Sequence, residues 1–180
     1  MYMDFVIELL RIVVPMLGII AAIALVLRRM DSKTSIEEQH ETIRLRQQHI
    51  LPVQVQAMER LTLLLHRIEP ESLVLRSEPL GKTVEIFRME LINTINEEFD
   101  FNIGQQVYVA HASWLLLQKA RLTVIELINK SYSELDAKAD GLILAQLLIK
   151  RYAALDEKPI ALAQRALKAN LNQLAAPRVR

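Results

Sequence analysis

A charge-free apolar run near the start of the chain most constrains what this sequence can fold into. Residues Ile12 to Leu27, IVVPMLGIIAAIALVL, contain no charged and no strongly polar side chain. At about 1.5 Å per residue a helix of this run spans roughly 24 Å, and a start at Phe5 extends it to the roughly 30 Å of a bilayer core. The run therefore predicts a single transmembrane helix, with residues 1–29 as the anchor.

Two other interpretations of this run are a cleaved signal peptide and the buried central helix of a soluble domain. A signal peptide has a basic start, whereas this chain begins with Asp4 and Glu8. A buried helix needs apolar chain around it, and the next forty residues are polar. Arg28, Arg29 and Lys33 follow the run closely, so the positive-inside rule predicts that the C-terminal part is cytoplasmic.

The composition favours long helices and excludes several classes of function. Hydrophobic residues make up 52% of the chain, yet there are only four glycines and six prolines. Because the chain has no cysteine, it has no disulfide, no thiolate chemistry and no cysteine-type zinc site. The net charge of +1 argues against a nucleic-acid-binding domain, which is usually strongly basic.

Residues 30–51 predict a helical stalk between the anchor and the rest of the chain. Ile36, Ile43 and Ile50 recur at seven-residue spacing, as in a parallel coiled coil. The other positions of this seam are polar, with His40 and Gln47 where leucine is preferred. We expect a weak coiled coil and, through it, a homo-oligomer.

Residues 52–176 predict an irregular helical bundle, followed by a basic tail at 177–180. Apolar residues at three- and four-residue spacing predict helices over about 53–68, 83–99, 114–128, 137–155 and 159–174. The 114–128 helix is apolar on most sides and is expected at the centre. The best strand candidate, Gln106 to Ala110, has no obvious pairing partner. The predicted fold class is all-α: an N-terminal transmembrane helix, a helical stalk and a cytoplasmic helical bundle.

Two stretches of the chain carry a resemblance to a known family. Residues 57–73, AMERLTLLLHRIEPESL, and residues 94–114, TINEEFDFNIGQQVYVAHASW, resemble a family of uncharacterised single-pass membrane proteins from Bacteroidetes bacteria. The matching residues are Ala57, Glu59, Arg60, Leu61, Arg67, Ile68, Pro70, Thr94, Ile95, Glu97, Glu98, Phe99, Asn102, Gln105, Gln106, Tyr108, Val109 and Trp114. The resemblance implies an inner-membrane location and a helical cytoplasmic part, and it implies no activity.

Sequence motifs for catalysis are mostly missing. The tripeptide Gly81-Lys82-Thr83 lacks the upstream glycine of a phosphate-binding loop. Glu37 and His40 form one Glu-x-x-His pair, but a di-iron bundle needs two such pairs in its core. We therefore expect no catalytic residue, no metal site and no cofactor, and we expect that the chain is not an enzyme.

One polar cluster is a candidate interaction or structural site. Its members are Glu59, Arg60, Arg67, Glu97, Glu98, Asn102, Gln105, Gln106, Tyr108 and Trp114. If the 83–99 helix continues, Glu98, Asn102 and Gln105 share one face. Because a buried carboxylate needs a partner, we predict that Arg60 or Arg67 faces Glu97, Glu98 and Asn102.

Two functions from different classes are compatible with these features. The first is a membrane-anchored, non-enzymatic scaffold or adaptor that acts through helix-mediated contact with itself or with a helical protein partner. The alternative is a ligand-binding or hydrolytic domain that uses the polar face from Glu97 to Tyr108. A filled core favours the first, and a pocket with convergent carboxylates favours the second.

Overall fold

The computed structural model describes residue 11, residues 15–28 and residues 45–175 of the chain. The chain divides into two compact units, residues 1–50 and 51–180. In the first unit, residues 15–28 form helix α1, and Arg46–Ile50 form a π-helical turn. The large apolar side chains of α1 are exposed around the helix.

The predicted transmembrane helix is not supported by the described helices. None of them combines the length with the apolar character that crossing a bilayer requires. The remainder of the predicted anchor, residues 1–10, 12–14 and 29, lies outside the described residues, as do residues 30–44 of the predicted stalk.

The second unit is built from helices alone over its described residues. They are α2 (Leu51–Arg67), α3 (Pro70–Ser77), α4 (Val84–Asn102), α5 (His111–Tyr132), α6 (Gly141–Ala153) and α7 (Pro159–Ala175), with a 3₁₀ turn at Ile103–Tyr108. The prediction of an all-α fold is therefore confirmed. These described residues form no strand; Thr83 and Asp140 form an isolated antiparallel bridge.

Helix α6 begins later than the predicted residue 137 because the chain before it pairs with the start of α4. The amide of Val84 donates to the Ala139 carbonyl at 2.9 Å, and the amide of Gly141 donates to the Lys82 carbonyl at 2.8 Å. Carbonyls used in this way are not available to a helix. Asp140 then caps α6, since its carboxylate accepts from the Leu142 amide at 2.8 Å.

The segment after α4 is neither a strand nor a continuation of that helix. Helix α4 ends at Asn102, and the strand candidate Gln106–Ala110 lies partly in the 3₁₀ turn. Gly104 is a poor residue for a helix interior, which accounts for the break. The chain is extended at Val109 and Ala110, which turn it into α5.

Helix α5 contacts three other helices of the bundle, α4, α6 and α7. Its buried face runs through Trp114, Leu117, Ala120, Val124 and Ile128. The opposite face is not buried, since Leu115 is 49% and Leu122 is 56% exposed. The helix is thus amphipathic rather than buried on most sides.

The start of α5 is fixed by α7 instead of by a capping side chain of its own. The Ala110 amide donates to the Asn170 side-chain oxygen at 3.0 Å, and the Ser113 hydroxyl donates to the Ala166 carbonyl at 3.2 Å. Both Asn170 and Ser113 are buried. This arrangement satisfies an orphan helix donor from across the bundle.

Candidate functional site

Glu98 is held by two arginines from two different helices. Nη1 of Arg67, at the end of α2, donates to both carboxylate oxygens at 3.1 and 3.2 Å. Nη2 of Arg76, in α3, donates to the same carboxylate at 2.9 Å. The Glu98 side chain is 11% exposed, whereas the arginines are about half exposed. Of the two predicted partners, Arg67 is the one that contacts Glu98, whereas the side chain of Arg60 is exposed.

Asn102 is the last residue of α4 and lies one turn after Glu98. Its side-chain amide donates to the Glu98 carbonyl at 2.8 Å, and the residue is 5% exposed. The bond gives the Glu98 carbonyl, one turn before the end of α4, a side-chain donor. The contact is local, so Asn102 has a structural role here.

The other predicted cluster residues do not join Glu98 in one site. Glu59, Glu97, Gln106 and Tyr108 are exposed, and Gln105 is half-buried. Trp114 is 5% exposed and packs on Phe99, with ring centroids 5.2 Å apart and planes tilted by 41°. The structure thus brings together Arg67, Glu98 and Asn102. These residues stabilise the packing of the helices and do not form a pocket with convergent carboxylates.

A second pair of arginines connects α4 and α5 and was missed by the sequence analysis. Nη2 of Arg121 donates to the Asn96 side-chain oxygen at 2.9 Å, and its guanidinium lies 4.5 Å from the centre of the Phe99 ring. In the reverse direction, Nε of Arg88 donates to the Asn129 oxygen at 2.8 Å. The Arg88 guanidinium lies 4.7 Å from the centre of the Tyr132 ring. Each helix thus places an arginine on an asparagine and an aromatic ring of the other.

These reciprocal contacts reflect an internal repeat in the sequence. Residues 88–99, RMELINTINEEF, and residues 121–132, RLTVIELINKSY, share an arginine, an asparagine eight positions later and an aromatic residue eleven positions later. The spacing places all three on one side of a helix. Two copies that contact each other in this reciprocal way form a local two-fold arrangement.

Tyr152 and Glu69 form a separate polar contact between α6 and the start of α3. The Tyr152 side chain is 1% exposed, and its hydroxyl donates to a Glu69 carboxylate oxygen at 3.4 Å. Burial and the nearby carboxylate charge raise the pKa of Tyr152 well above its usual range. The phenol is therefore a hydrogen-bond donor over the physiological pH range.

The described residues offer little for catalysis or metal binding. No three His, Asp or Glu side chains among them are grouped as metal ligands. A cleft of about 150 Å³ is lined by Leu116, Lys119, Ala120, Thr123, Leu155, Glu157, Pro159 and Leu162. Typical ligand pockets have volumes of about 300–1,000 Å³. Nothing in this geometry favours the alternative of a ligand-binding or hydrolytic site on the Glu97–Tyr108 face.

The comparisons with known proteins agree with the uncharacterised family predicted from the sequence. The model of the Family of unknown function (DUF7935) matches residues 4–174. No functionally curated protein and no solved structure is significantly similar to the chain. The match does not test the membrane location or the Bacteroidetes origin that the resemblance implied.

Proposed function

We propose that this chain, which belongs to the Family of unknown function (DUF7935), is a membrane-anchored, non-enzymatic scaffold or adaptor. In this proposal the apolar segment that contains α1 is a single span of a bacterial inner membrane. The helical bundle of residues 51–175 lies in the cytoplasm and binds a second copy of the chain or a helical protein partner.

The observation that carries the proposal is the exposure of α1. Its large apolar side chains are 53–61% exposed, namely Met16, Leu17, Ile19, Ile20, Ile23, Leu25, Val26 and Leu27. Removing one such side chain from water is worth about 1.5–3 kcal/mol, so the eight together represent a gain on the order of 10 kcal/mol. A lipid bilayer covers a helix on all sides and satisfies this requirement.

The orientation follows from the charges that flank α1. Arg28, Arg29 and Lys33 lie within six positions after Leu27, while Arg11 is the one basic residue before the apolar run. Basic residues close to a span remain on the cytoplasmic side. In this proposal the bundle that follows them therefore lies in the cytoplasm.

A filled core and exposed apolar side chains on its helices support a binding role for the bundle. The core side chains of α4, α5 and α6 are buried, while Ile86, Met89 and Leu122 on the outer faces of α4 and α5 are about half exposed. Ile86 and Met89 are three positions apart and therefore share one face of α4, as the anchor residues of helix-binding surfaces do.

The anchor is tested by extraction of the full chain from membranes. The variant Ile20→Arg with Ile23→Arg places two charges in α1, each of which costs about 2.5–3.5 kcal/mol at the centre of a span. We expect that the wild-type chain stays in alkaline-washed membranes and that the variant is released. Leu63→Arg is the control, because Leu63 on α2 is 55% exposed and Ile20 is 57% exposed.

Topology is tested with a reporter fused after Arg180. A reporter that is active only in the cytoplasm should function at this site, and one that is active only in the periplasm should not. Release of the wild-type chain by the alkaline wash would contradict the anchor, and an active periplasmic reporter would contradict the orientation alone.

A further inference from the structure

Helices α4 and α5 share an exposed apolar strip, which we call the α4/α5 face. Met89 and Leu122 are equivalent positions of the internal repeat, and they are 49% and 56% exposed. Ile92 and Ile125 are also equivalent positions and are half-buried against the core. Leu115 lies seven positions, or about two turns, before Leu122 and is 49% exposed. These five side chains line the α4/α5 face.

The helical period places this strip on the side of the two helices that is turned away from the core. On α4, Arg88 contacts α5 and the preceding Phe87 is buried, so the following Met89 lies on the outer side. On α5, Arg121 contacts α4 and is followed in the same way by Leu122. Because both helices turn their buried side to one core, the two outer sides form a single face.

Three acidic side chains lie on the α4/α5 face. Glu85 is four positions before Met89, and Glu126 is four positions after Leu122, so each lies on the same side as its apolar neighbour. Asp100 is eleven positions, or about three turns, after Met89. All three acids are exposed, and none has an ion-pair partner within the described part of the chain.

The Lys and Arg residues of these two helices lie elsewhere. Arg88 and Arg121 point into the contact between the helices, where they donate to asparagine side chains. Lys119 lines the cleft beside Leu162, on the side of α5 toward α7. Lys130 is eleven positions later on that same side. The α4/α5 face is therefore apolar with a negative local charge.

We infer that the α4/α5 face binds a basic amphipathic helix of a partner protein. Apolar side chains of that helix, at three- and four-residue spacing, contact the strip, while its Lys and Arg residues pair with Glu85, Asp100 and Glu126. The face is about 22 Å long from residue 85 to residue 100, which corresponds to about 15 residues of the bound helix. This inference rests on the proposed function, which requires a surface for a helical partner.

A second copy of the chain fits the same face less well. In a closed dimer the face meets itself, so exposed acidic side chains approach other acidic side chains at a cost in free energy. Helix α7 is basic and has no acidic residue, but its apolar side is already used, because Ile160, Ala163 and Leu167 are buried in the bundle. The occupant that fits is a basic helix from a different protein.

A labelled peptide of leucine and lysine is a direct probe for this chemistry. It has about 15 residues, with leucine at three- and four-residue spacing and lysine elsewhere. Its binding to the full chain is measured by fluorescence anisotropy in a non-ionic detergent, with the signal of empty micelles subtracted. The matched peptide contains glutamate in place of lysine.

Two pairs of variants separate the charged from the apolar contribution. The charge variant combines Glu85→Gln, Asp100→Asn and Glu126→Gln. Its control makes the same charge change at three exposed positions outside the face: Glu59→Gln, Glu71→Gln and Asp156→Asn. The apolar variant combines Met89→Asn and Leu122→Asn. Its control replaces two side chains of similar exposure on α2 and α6, with Leu63→Asn (55% exposed) and Ile143→Asn (46% exposed).

We expect that the wild-type chain binds the basic peptide and does not bind the acidic one. The charge variant should bind the basic peptide about tenfold more weakly and lose most of the salt dependence of binding. The apolar variant should also bind about tenfold more weakly but keep the salt dependence. Both controls should bind like the wild-type chain. Circular dichroism verifies that each variant retains its helical content.

The inference is overturned if the two peptides bind equally well, or if the charge variant and its control have the same affinity. A lower light-scattering mass of the apolar variant, with peptide binding retained, would also overturn it and would assign the face to a second copy. The membrane anchor is tested separately by the alkaline wash. A chain that stays in washed membranes but does not bind the basic peptide overturns this inference alone. A chain that is released but binds through this face contradicts the anchor alone.

Discussion

At the scale of single residues, Glu98 joins α2, α3 and α4 through Arg67 and Arg76. Both arginines are about half exposed, so solvent screening keeps each ion pair near the lower end of the usual range. We expect that Glu98→Ala and Arg67→Ala each lower the free energy of unfolding by about 1 kcal/mol. In urea denaturation their coupling should exceed the roughly 0.3–0.5 kcal/mol scatter of independent sites.

Arg60→Ala is the control for this cycle. Arg60 lies on the same helix as Arg67, and its side chain is exposed. Its effect should therefore add to that of Glu98→Ala. Coupling of Glu98 to Arg60 but not to Arg67 would contradict the observed pairing.

Gly141 is a residue at which the fold leaves no room for a side chain. A Cβ atom there would lie 3.1 Å from the carbonyl oxygens of Lys82 and Pro79 and 3.2 Å from Cβ of Phe87. Because two of these neighbours are backbone atoms, Gly141→Ala should destabilise the bundle by about 1–3 kcal/mol in thermal or urea unfolding. Gly104→Ala is the control, since a methyl group at Gly104 would have no neighbouring atom within 4 Å. Equal stability of the two variants would argue against the tight approach of α6 to α4.

Tyr152 should make stability depend on alkaline pH. Burial and the Glu69 charge raise the pKa of Tyr152, so the folded chain holds the phenol proton more tightly than the unfolded chain. The resulting stabilisation is complete below about pH 10, the pKa of an unfolded tyrosine, and is lost as the pH rises further. We expect that the wild-type chain loses stability more steeply above pH 10 than Tyr152→Phe does. Parallel pH profiles would show that the phenol does not contribute.

At the scale of secondary-structure elements, the reciprocal contacts of α4 and α5 form two separate links. Asn96 and Asn129 each accept from an arginine of the other helix. Arg88 and Asn96 are eight residues apart on α4, about 12 Å along the axis, so the two links should act independently. We expect additive losses of unfolding free energy for Asn96→Ala with Asn129→Ala.

The control is a cycle within one link. Asn96→Ala and Arg121→Ala remove the two ends of the same hydrogen bond and should be coupled. The Arg121 guanidinium also lies over Phe99, so Arg121→Lys should destabilise the bundle by about 0.5–1 kcal/mol. Coupling between Asn96 and Asn129 would mean that the links instead act as one unit.

The sequence predicts well those helices whose apolar stripe is buried in the core. Leu61 and Leu65 lie in the predicted 53–68 helix and Ile95 in the predicted 83–99 helix, and all three are fully buried in one cluster. The elements predicted poorly depend on distant backbone contacts, such as the late start of α6 at Gly141 beside Lys82. Periodicity within one helix contains no information about such partners.

The candidate site shows the same division. The need of Glu98 for a cation predicted Arg60 or Arg67, of which Arg67 is the observed partner. The second partner, Arg76, belongs to α3, whose eight residues are too short for a clear apolar period. The contacts of Arg88 and Arg121 could have been predicted from the sequence by a search for internal repeats, because RMELINTINEEF and RLTVIELINKSY align without gaps.

At the scale of the whole molecule, the seven-residue spacing of isoleucines in the predicted stalk ends in a π-helical turn. Ile36 and Ile43 lie outside the described residues, and Ile50 ends a π-helical turn. A π turn has more residues per turn than an α-helix, so it interrupts the seven-residue spacing at this point. Ala57 and Leu64, which continue the seven-residue spacing, are buried in the second unit. Any self-association through the seam is therefore confined to residues up to Ile50.

The last prediction tests whether this seam joins two copies of the chain. Ile50 and Leu45 are each 51% exposed, but only Ile50 continues the Ile36 and Ile43 spacing. If the seam pairs, Ile50→Asn removes an apolar contact from it and should lower the mean mass of the full chain in detergent by light scattering. Leu45→Asn changes a side chain of equal exposure away from the seam and should leave the mass unchanged. Equal masses for the two variants would reject pairing through Ile50, because exposure alone would then account for both.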